Sequence, residues 1–346
     1  MGICYVGCRT TAERGGKGKG ISVYRTGTGT GWELLQVQEQ INPSFLCLDN
    51  TGRFLYAVHG DFSEISSYAV RSDGRLALLN TVSTGGTNPV HLSIDRTERW
   101  VFVSNLQTGN VSVLPRRGDG TLEAPKYTYF IPGNGGPGYI SHPHQVQQDP
   151  SGNYLIVSAQ GRLQGLGQVV VYRIDHQSGA LTRLCAALAR TGAEPRHCVF
   201  SPDGTYCYGV NEKSCTVTQY GFAEGQLAPC RIVQTLPEER TAEGWSSGIA
   251  IHPNGRFIYV SDRKQNIVSA FQISQAGASK LTGCFDTMGQ QPRFIDIAPG
   301  AGSLLAANEL SHTIWEFPID QETGQLRQGI LRAETGSPVC AVWRSW

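Results

Sequence analysis

Residues 194–212 read EPRHCVFSPDGTYCYGVNE, and this stretch decides the fold. Two short runs rich in apolar and aromatic residues flank the turn signal SPDG, which is the pattern of a tight antiparallel hairpin. The pattern recurs in five further stretches: NPSFLCLDNTGRFLYAVHG (42–60), NPVHLSIDRTERWVFVSNL (88–106), HPHQVQQDPSGNYLIVSAQ (142–160), SSGIAIHPNGRFIYVSDR (246–263) and QPRFIDIAPGAGSLLAANE (291–309). The chain is therefore built from an internal repeat.

Most hairpins continue into a third strand, such as QVVVYRI at 168–174, and then into a GxL turn and a fourth strand. Four short antiparallel strands per unit are typical of a propeller blade. The anchor residues that open the units are Pro43, Pro89, Pro143, Pro195, Ser247, Pro292 and Pro338. They recur about every 49 residues, one seventh of the chain, so the repeat predicts seven blades.

The two ends of the chain are expected to share the last blade. The final segment SPVCAVWRSW (337–346) supplies one strand, and ICYVGC (3–8), GISVYRT (20–26) and WELLQVQ (32–38) supply the other three. Such closure removes a free sheet edge. The prediction is an all-β protein whose residues 1–346 form a single seven-bladed propeller domain, because no helical periodicity exceeds two turns.

Composition limits the class of protein. With 29 Lys+Arg and 28 Asp+Glu the net charge is +1, which excludes the basic surface of a nucleic-acid-binding protein. Hydrophobic residues make up 40% and charged residues 16%, as in a globular chain. No run approaches the ~20 apolar residues of a membrane span.

The cysteine pattern and the start of the chain predict a cytoplasmic protein with reduced thiols. Ten cysteines are spread without dense pairing, and MGICYVGC is not a secretory leader. The closest pairs, Cys4/Cys8 and Cys207/Cys215, lack the C-x-x-C spacing of a zinc site. We therefore expect no metal and no cofactor.

Two rings of residues are expected at one mouth of the central channel. The first strand of each blade lines a propeller channel, so the residue after each anchor should lie at a common level. These residues are Ser44, Val90, His144, Arg196, Gly248, Arg293 and Val339. The second strand runs back to the same level, where it ends at Gly60, Leu106, Gln160, Glu212, Arg263, Glu309 and Arg9. Polar residues such as His59 and Asn211 precede this second ring.

Two long connections lead into first strands and should hang over the same face as walls or lids. They are IPGNGGPGYIS (131–141) and LPEERTAEGW (236–245). Mobile loops over a polar funnel are common at small-molecule sites. The sequence therefore predicts a ligand site at this mouth.

The chain resembles a known family at HPHQVQQDPSGNYLIV (142–157), EPRHCVFSPDGTYCYGVNE and NGRFIYVSDRKQNIVSAF (254–271). These motifs closely resemble the lactonase family of seven-bladed propellers, which includes 6-phosphogluconolactonases and 3-carboxy-cis,cis-muconate lactonizing enzymes. The resemblance implies a catalytic set of His144, Arg196, Glu212 and Arg263. The sequence differs from the usual family pattern at His59–Gly60 and at the additional carboxylate Glu309.

Lactone hydrolysis needs a base that activates water, donors for the oxyanion and an acid for the departing ring oxygen. Glu212 is the first candidate for the base and Glu309 the second. Arg196 and Arg263 suit an anion or the oxyanion, and His144 suits the acid. Further expected substrate-binding residues are Arg293, His197, Asn211, Glu309, His59 and Gln160.

The leading hypothesis is a lactonase that opens a small acidic sugar-acid lactone, phosphorylated or not. The same groups would serve the reverse reaction, so a muconate-type cycloisomerase remains open, as does a non-catalytic binding scaffold. GGKGKGIS at 15–22 lacks the ending of a phosphate-binding loop and is expected to be a solvated turn. The oligomeric state is left open.

Overall fold

A computed structural model describes residues 2–27, 29, 31–133, 136, 138–162, 165–238 and 244–345. Within these residues the chain forms 28 strands and one short 3-10 helix at Ala12–Arg14. The first seven strands are β1 (Gly2–Cys8), β2 (Gly20–Thr26), β3 (Glu33–Glu39), β4 (Pro43–Leu48), β5 (Phe54–His59), β6 (Glu64–Val70) and β7 (Leu76–Ser83). The next eight are β8 (Pro89–Ile94), β9 (Trp100–Asn105), β10 (Asn110–Pro115), β11 (Tyr127–Phe130), β12 (Pro143–Gln148), β13 (Tyr154–Ala159), β14 (Gln168–Ile174) and β15 (Leu181–Leu188).

The second half of the chain continues the same succession of short strands. Its first eight strands are β16 (Pro195–Phe200), β17 (Tyr206–Asn211), β18 (Thr216–Ala223), β19 (Gln226–Gln234), β20 (Ser246–Ile251), β21 (Phe257–Asp262), β22 (Ile267–Ile273) and β23 (Ser279–Asp286). The last five are β24 (Pro292–Ile297), β25 (Ser303–Asn308), β26 (Thr313–Pro318), β27 (Ile330–Glu334) and β28 (Pro338–Ser345).

Every sheet is a four-stranded antiparallel blade. Blades 1 to 6 take four consecutive strands each, from β4–β7 to β24–β27, and blade 7 has the order β28-β1-β2-β3. The innermost strand of each blade contacts that of the next, and β28 contacts both β24 and β4. The blades therefore form a closed ring around a central channel. The predicted seven-bladed propeller is confirmed, including the last blade shared between the chain ends.

A β-bulge near the start of each innermost strand is what aims side chains into the channel. In blade 4, Pro195 pairs with Asn211 and His197 with Val210, so Arg196 lies outside the ladder. The same irregularity recurs in the six other blades. A bulge bends its strand and redirects the extra residue, which places consecutive side chains on the channel wall.

The register corrects one sequence assignment. In blade 5 it is Ser246, not Ser247, that pairs with the last residue of the second strand, Asp262. Ser247 rather than Gly248 therefore occupies the level of Arg196. The missing proline at this anchor removed the signal that marked the position in the other blades.

Apolar residues fill the spaces between neighbouring blades, and a repeated hydrogen bond locks the blades together. Tyr56 of blade 1 donates from its buried hydroxyl to the carbonyl oxygen of Gly120 in blade 2 at 3.0 Å. Tyr5, Tyr208 and Tyr259 make the same contact to the next blade. Gly120 has φ +86°, and a Cβ there would lie 2.1 Å from the ring of Phe54, so only glycine fits.

All ten cysteines are free. In the described part of the chain, no helix is long and apolar enough to cross a membrane.

One acidic side chain is out of place in this packing. Asp296 on β24 is partly buried, and its carboxylate accepts a hydrogen bond from its neighbour's amide, Ile297 N, at 2.8 Å. No described residue forms an ion pair with it. Burial raises its pKa to about 6.

Deleting residues 338–346, of which residue 346 lies outside the described part, should destabilise the protein strongly. The deletion removes the ladder between β28 and β1, which runs from Gly2–Ser345 to Gly7–Cys340, and it exposes the core of blade 7. We expect aggregation or a melting temperature many degrees lower, measured by calorimetry. A chain lacking only its last residue is the control, and an unchanged melting temperature on full deletion would contradict the closure.

Asp296→Asn should raise stability at pH 8 but not at pH 4. Because the folded-state pKa is raised, folding resists ionisation of Asp296, and stability is lost as the pH rises from about 4 through about 6. The amide carries no charge and avoids this penalty. Thermal melts of both proteins across this pH range test the idea, and a difference that does not depend on pH would contradict it.

Candidate active site

The bulge residues and the ends of the second strands meet at one end of the channel. A cavity there is lined by Arg9, Ser44, His144, Arg196, His197 and Arg293, together with apolar residues of the same level. These residues come from five different blades, so only the closed ring brings them together.

Glu212 is the most tightly held group of the mouth. Its Oε2 lies 3.1 Å from Arg196 Nε and accepts a hydrogen bond from Gln160 Nε2 at 2.8 Å. Its Oε1 lies 3.1 Å from Arg263 Nη2 and accepts the indole N–H of Trp245 at 2.7 Å. Two hydrogen-bond donors and two guanidinium groups from blades 3, 4 and 5 therefore surround one buried carboxylate.

This environment fixes the charge of Glu212. Burial alone would raise its pKa, but the charges of Arg263 and Arg196 and the hydrogen bond from Trp245 outweigh burial and lower the pKa to about 2. A carboxylate that is so acidic and so fully bonded is a weak proton acceptor at neutral pH. The geometry thus suits Glu212 to orienting the two arginines better than to the role of base.

Both arginines keep donors that Glu212 does not use. Arg196 Nη1 donates to Ser247 O at 2.9 Å. Arg263 Nη2, the atom that also lies beside Glu212 Oε1, donates to Ser246 O at 3.3 Å. Arg196 Nη2 and Arg263 Nη1 have no acceptor among the described residues. Burial lowers the pKa of Arg263 to about 10, which leaves it protonated at neutral pH. The guanidinium of Arg263 also stacks on Trp245, 3.7 Å from the ring centroid.

Three imidazoles lie beside Arg196 along the channel. His144 and His197 have ring centroids 5.0 Å apart, and His197 and His91 are 5.6 Å apart. Burial and the charge of Arg196 lower the pKa of His144 and of His197 well below 6.5. His144 is therefore neutral in the free protein, and its buried Nδ1 has no hydrogen-bond partner in the described part of the chain.

Blade 6 repeats the arginine–glutamate pair of blade 4 at the same spacing of positions. Arg293 is the bulge residue and Glu309 follows the second strand, as Arg196 and Glu212 do. The ion pair in blade 6 is much looser than the ion pair in blade 4. Arg293 Nη1 lies 3.8 Å from Glu309 Oε2, and the Arg293 side chain is 20% exposed. Glu309 Oε2 accepts one hydrogen bond, from Gln291 at 2.8 Å, and Oε1 has no partner among the described residues.

The structure brings together His144, Gln160, Arg196, His197, Glu212, Arg263, Arg293 and Glu309 at the mouth, but it does not bring His59 and Asn211 there. His59 uses Nδ1 on Ile41 O at 2.7 Å and Nε2 on Ser66 Oγ at 2.8 Å. Asn211 donates to Thr216 and Thr218 of its own blade. Both side chains tie strand ends to neighbouring backbone or hydroxyl groups, and the substrate-binding role expected of them stays a prediction.

Sequence reasoning assigned no role in the site to Trp245 or Asp262. Asp262 Oδ2 accepts the backbone N–H of Trp245 at 2.7 Å and so holds the indole over Arg263 and against Glu212. A tryptophan directly before a first strand was the available signal. Arg9 was seen only as a ring member, and it pairs with Asp61 at 3.3 Å.

The two connections expected to cover the mouth are only partly described. Residues 134, 135, 137 and 239–243 lie outside the described residues. Among those that are described, Trp245 at the end of the second connection reaches the site. No group of three or more described His, Cys, Asp or Glu side chains is arranged to hold a metal ion.

The fold and the charged mouth define a seven-bladed propeller with an enzyme-like site rather than a flat binding face. The sequence profile described as "Lactonase, 7-bladed beta-propeller" matches residues 3–343, and the chain belongs to this family.

Relatives and solved structures agree with that assignment. The chain is 31% identical over 337 residues to a 6-phosphogluconolactonase of Formosa agariphila, with 92% of this chain and 93% of the relative covered. It is 27% identical to the 6-phosphogluconolactonase of Bacillus subtilis, with 86% of each covered. The periplasmic gluconolactonase of Pseudomonas aeruginosa has a similar structure, with TM-score 0.88, 25% identity and 99% of each chain covered.

Glu212→Gln should lower the melting temperature at pH 7. The substitution leaves two buried guanidinium groups without their counter-charge, a situation that typically costs about 3–5 kcal/mol. Because the pKa of Glu212 is lowered from 4.5 to about 2, its contribution is present above pH 4.5 and is lost as the pH falls towards 2.

Thermal melts of wild type and Glu212→Gln at pH 7, 5 and 4 test the direction of this pH dependence. The difference in melting temperature between wild type and Glu212→Gln should become smaller below pH 4.5. Glu309→Gln is the matched control and should give a smaller gap, because Glu309 has fewer charged partners. Equal melting temperatures of wild type and Glu212→Gln at pH 7 would contradict the role assigned to this carboxylate.

Proposed function

We propose that this protein is a lactone hydrolase that opens a sugar-acid lactone at the channel mouth. The observation that carries the proposal is the pair of buried arginines, Arg196 and Arg263, fixed on Glu212 with unused N–H donors. Relatives covering most of the chain are named for hydrolysis of a gluconolactone or its 6-phosphate. The substrate class of this chain is inferred from the arginine pair and from the names of these relatives.

The arginines supply the electrostatic part of the reaction. Attack on the lactone carbonyl turns its oxygen into an oxyanion, and pre-oriented donors in a site shielded from water stabilise that charge. Arg196 and Arg263 are held by Glu212 before the substrate arrives, so they need little reorganisation. Glu212 acts as a positioning residue through these two side chains.

Glu309 is the base that the geometry favours. A water molecule attacking the carbonyl carbon must lose a proton, and Glu309 Oε1 is an acceptor that no described residue occupies. After attack, the ring C–O bond breaks and the proton on Glu309 passes to the departing ring oxygen. The product is an open hydroxy acid, and the carboxylate of Glu309 is regenerated.

Neutral His144 and loosely held Arg293 suit substrate recognition. His144 is uncharged, so it suits a neutral hydrogen bond to a sugar hydroxyl better than the role of acid. Within the described part of the chain Arg293 makes a single long ion pair, at 3.8 Å, so it can turn to a carboxylate or phosphate of the substrate. We infer that a phosphate at the far end of the lactone would be held here.

The alternatives are less favoured. A muconate-type cycloisomerase would use the same groups, but the relatives from Formosa agariphila and Bacillus subtilis are named 6-phosphogluconolactonases. A binding scaffold would not need buried arginines held in the channel. A cytoplasmic place in carbohydrate metabolism follows from the proposed substrate, and one structural relative is named as periplasmic.

Purified protein should open 6-phosphogluconolactone or gluconolactone faster than the spontaneous reaction. The assay follows acid release at constant pH with the uncatalysed rate subtracted. The ratio of kcat/KM between the two lactones decides whether phosphate is recognised, and Arg293→Ala should reduce that ratio if Arg293 holds the phosphate. The absence of acceleration with any sugar lactone would refute the function.

Glu309→Gln should reduce kcat by roughly 10²-fold or more with little change in KM, since the amide keeps its size but cannot accept the proton. Glu212→Gln should raise KM and lower kcat together, because it releases both arginines. Gln160→Ala, which loosens Glu212 without removing charge, is a milder control. The opposite pattern would contradict this assignment. If Glu309→Gln kept near wild-type turnover and Glu212→Gln lowered kcat alone, Glu212 would be the base.

A further inference from the structure

A second polar cavity lies outside the channel, between blades 3 and 4. Its walls are the end of β15, the connection 189–193 and strands β18 and β19, and its volume is about 540 Å³. Ligand sites for small molecules commonly span about 300–1,000 Å³. We call this cavity the inter-blade groove.

The charge of the inter-blade groove is positive and unbalanced. Arg190 comes from the connection and Arg231 from β19, and both are exposed. Neither guanidinium forms an ion pair or a hydrogen bond with a described residue. No Asp or Glu is among the residues that line the groove. Two free cations in one cavity favour an anionic ligand.

Hydroxyl groups line the wall contributed by β18. Asn211 Nδ2 donates to Thr216 Oγ1 at 2.9 Å and to Thr218 Oγ1 at 3.0 Å. Thr216 Oγ1 also shares a hydrogen bond with Ser214 Oγ, another group that lines the groove, at 2.8 Å. Thr216 and Thr218 are buried and face the groove together with Tyr220. These hydrogen bonds hold a row of hydroxyl groups in place along the wall of the groove.

We propose that the inter-blade groove binds a phosphorylated sugar acid. Two arginines on different elements match two anionic ends, a phosphate and a carboxylate, because guanidinium groups bind both in bidentate fashion. The hydroxyl-bearing wall matches the polyol chain between those ends. This ligand is chemically the class of product that the channel would release, but the groove proposal does not rest on turnover.

The groove adjoins the channel mouth through one turn. Asn211 stands in the wall of the groove, and the next residue, Glu212, holds the arginines of the channel. Lys213 N and Ser214 N both approach Ala193 O, at 3.2 and 3.4 Å, which joins this turn to the connection that carries Arg190. A ligand in the groove would therefore touch the segment that positions Glu212.

Cys230 gives a local readout of occupancy. It is exposed and lines the groove, whereas the nine other cysteines are buried or partly buried. Its alkylation by uncharged iodoacetamide, followed by peptide mass spectrometry, reports access to the groove in the intact protein. The readout requires no catalytic activity, so its outcome is separate from that of the lactonase assay.

6-Phosphogluconate should slow alkylation of Cys230, by about tenfold at ten times its dissociation constant. Gluconate and inorganic phosphate, which each carry one of the two anionic groups, should protect much less at the same concentration. Arg190→Ala combined with Arg231→Ala should abolish the protection. Arg183→Ala, an exposed arginine of β15 outside the groove, should retain it.

Three results would overturn the proposal. They are no protection by 6-phosphogluconate at millimolar concentration, protection that survives in the double variant, and equal protection by inorganic phosphate. The last result would reduce the groove to a simple anion site. Melting curves of the double variant test whether unfolding explains a loss of protection. We expect an unchanged melting temperature, because both side chains are exposed and unpaired within the described residues.

Discussion

The pairing of β28 with β1 is the interaction on which the rest of the structure depends. Without it, seven blades would form an open row, and the innermost strands would have no common axis. The ladder joins residues more than 330 positions apart in sequence, so it carries a large entropic cost of loop closure. That cost is offset by apolar packing between every pair of neighbouring blades and by the tyrosine-to-glycine hydrogen bonds that join them.

Once the ring is closed, electrostatics differentiate blades that share one backbone. Blades 4 and 6 carry arginine and glutamate at equivalent positions. Glu212 nevertheless contacts two guanidinium groups and two hydrogen-bond donors, whereas Glu309 has two polar neighbours. The difference comes from the two blades beside blade 4: Gln160 of blade 3 and Arg263 and Trp245 of blade 5 all converge on Glu212. One carboxylate is thereby held as a fixed charge, while the other keeps an oxygen for chemistry.

Most of the fold was predictable because turn signals and anchor prolines repeat in the sequence. The ring of second-strand ends was also predictable, since hairpin geometry fixes where a strand returns. His59 and Asn211 were misplaced because alternation along a strand does not say which of two neighbouring polar residues faces the channel. Trp245 was missed because its contact with Glu212 is set by a long connection, whose path has no local sequence signal.

The repeated bulge makes the side chains at the channel mouth independent of the hydrogen bonds that hold the blades together. Arg196, His144 and Arg293 stand outside the hydrogen-bonded ladders, so the sheets place little demand on their chemical identity. Serine, valine, histidine and arginine all occupy this position within the one chain. New substrate preferences can therefore evolve at seven equivalent positions by single substitutions, without redesigning the scaffold that presents them.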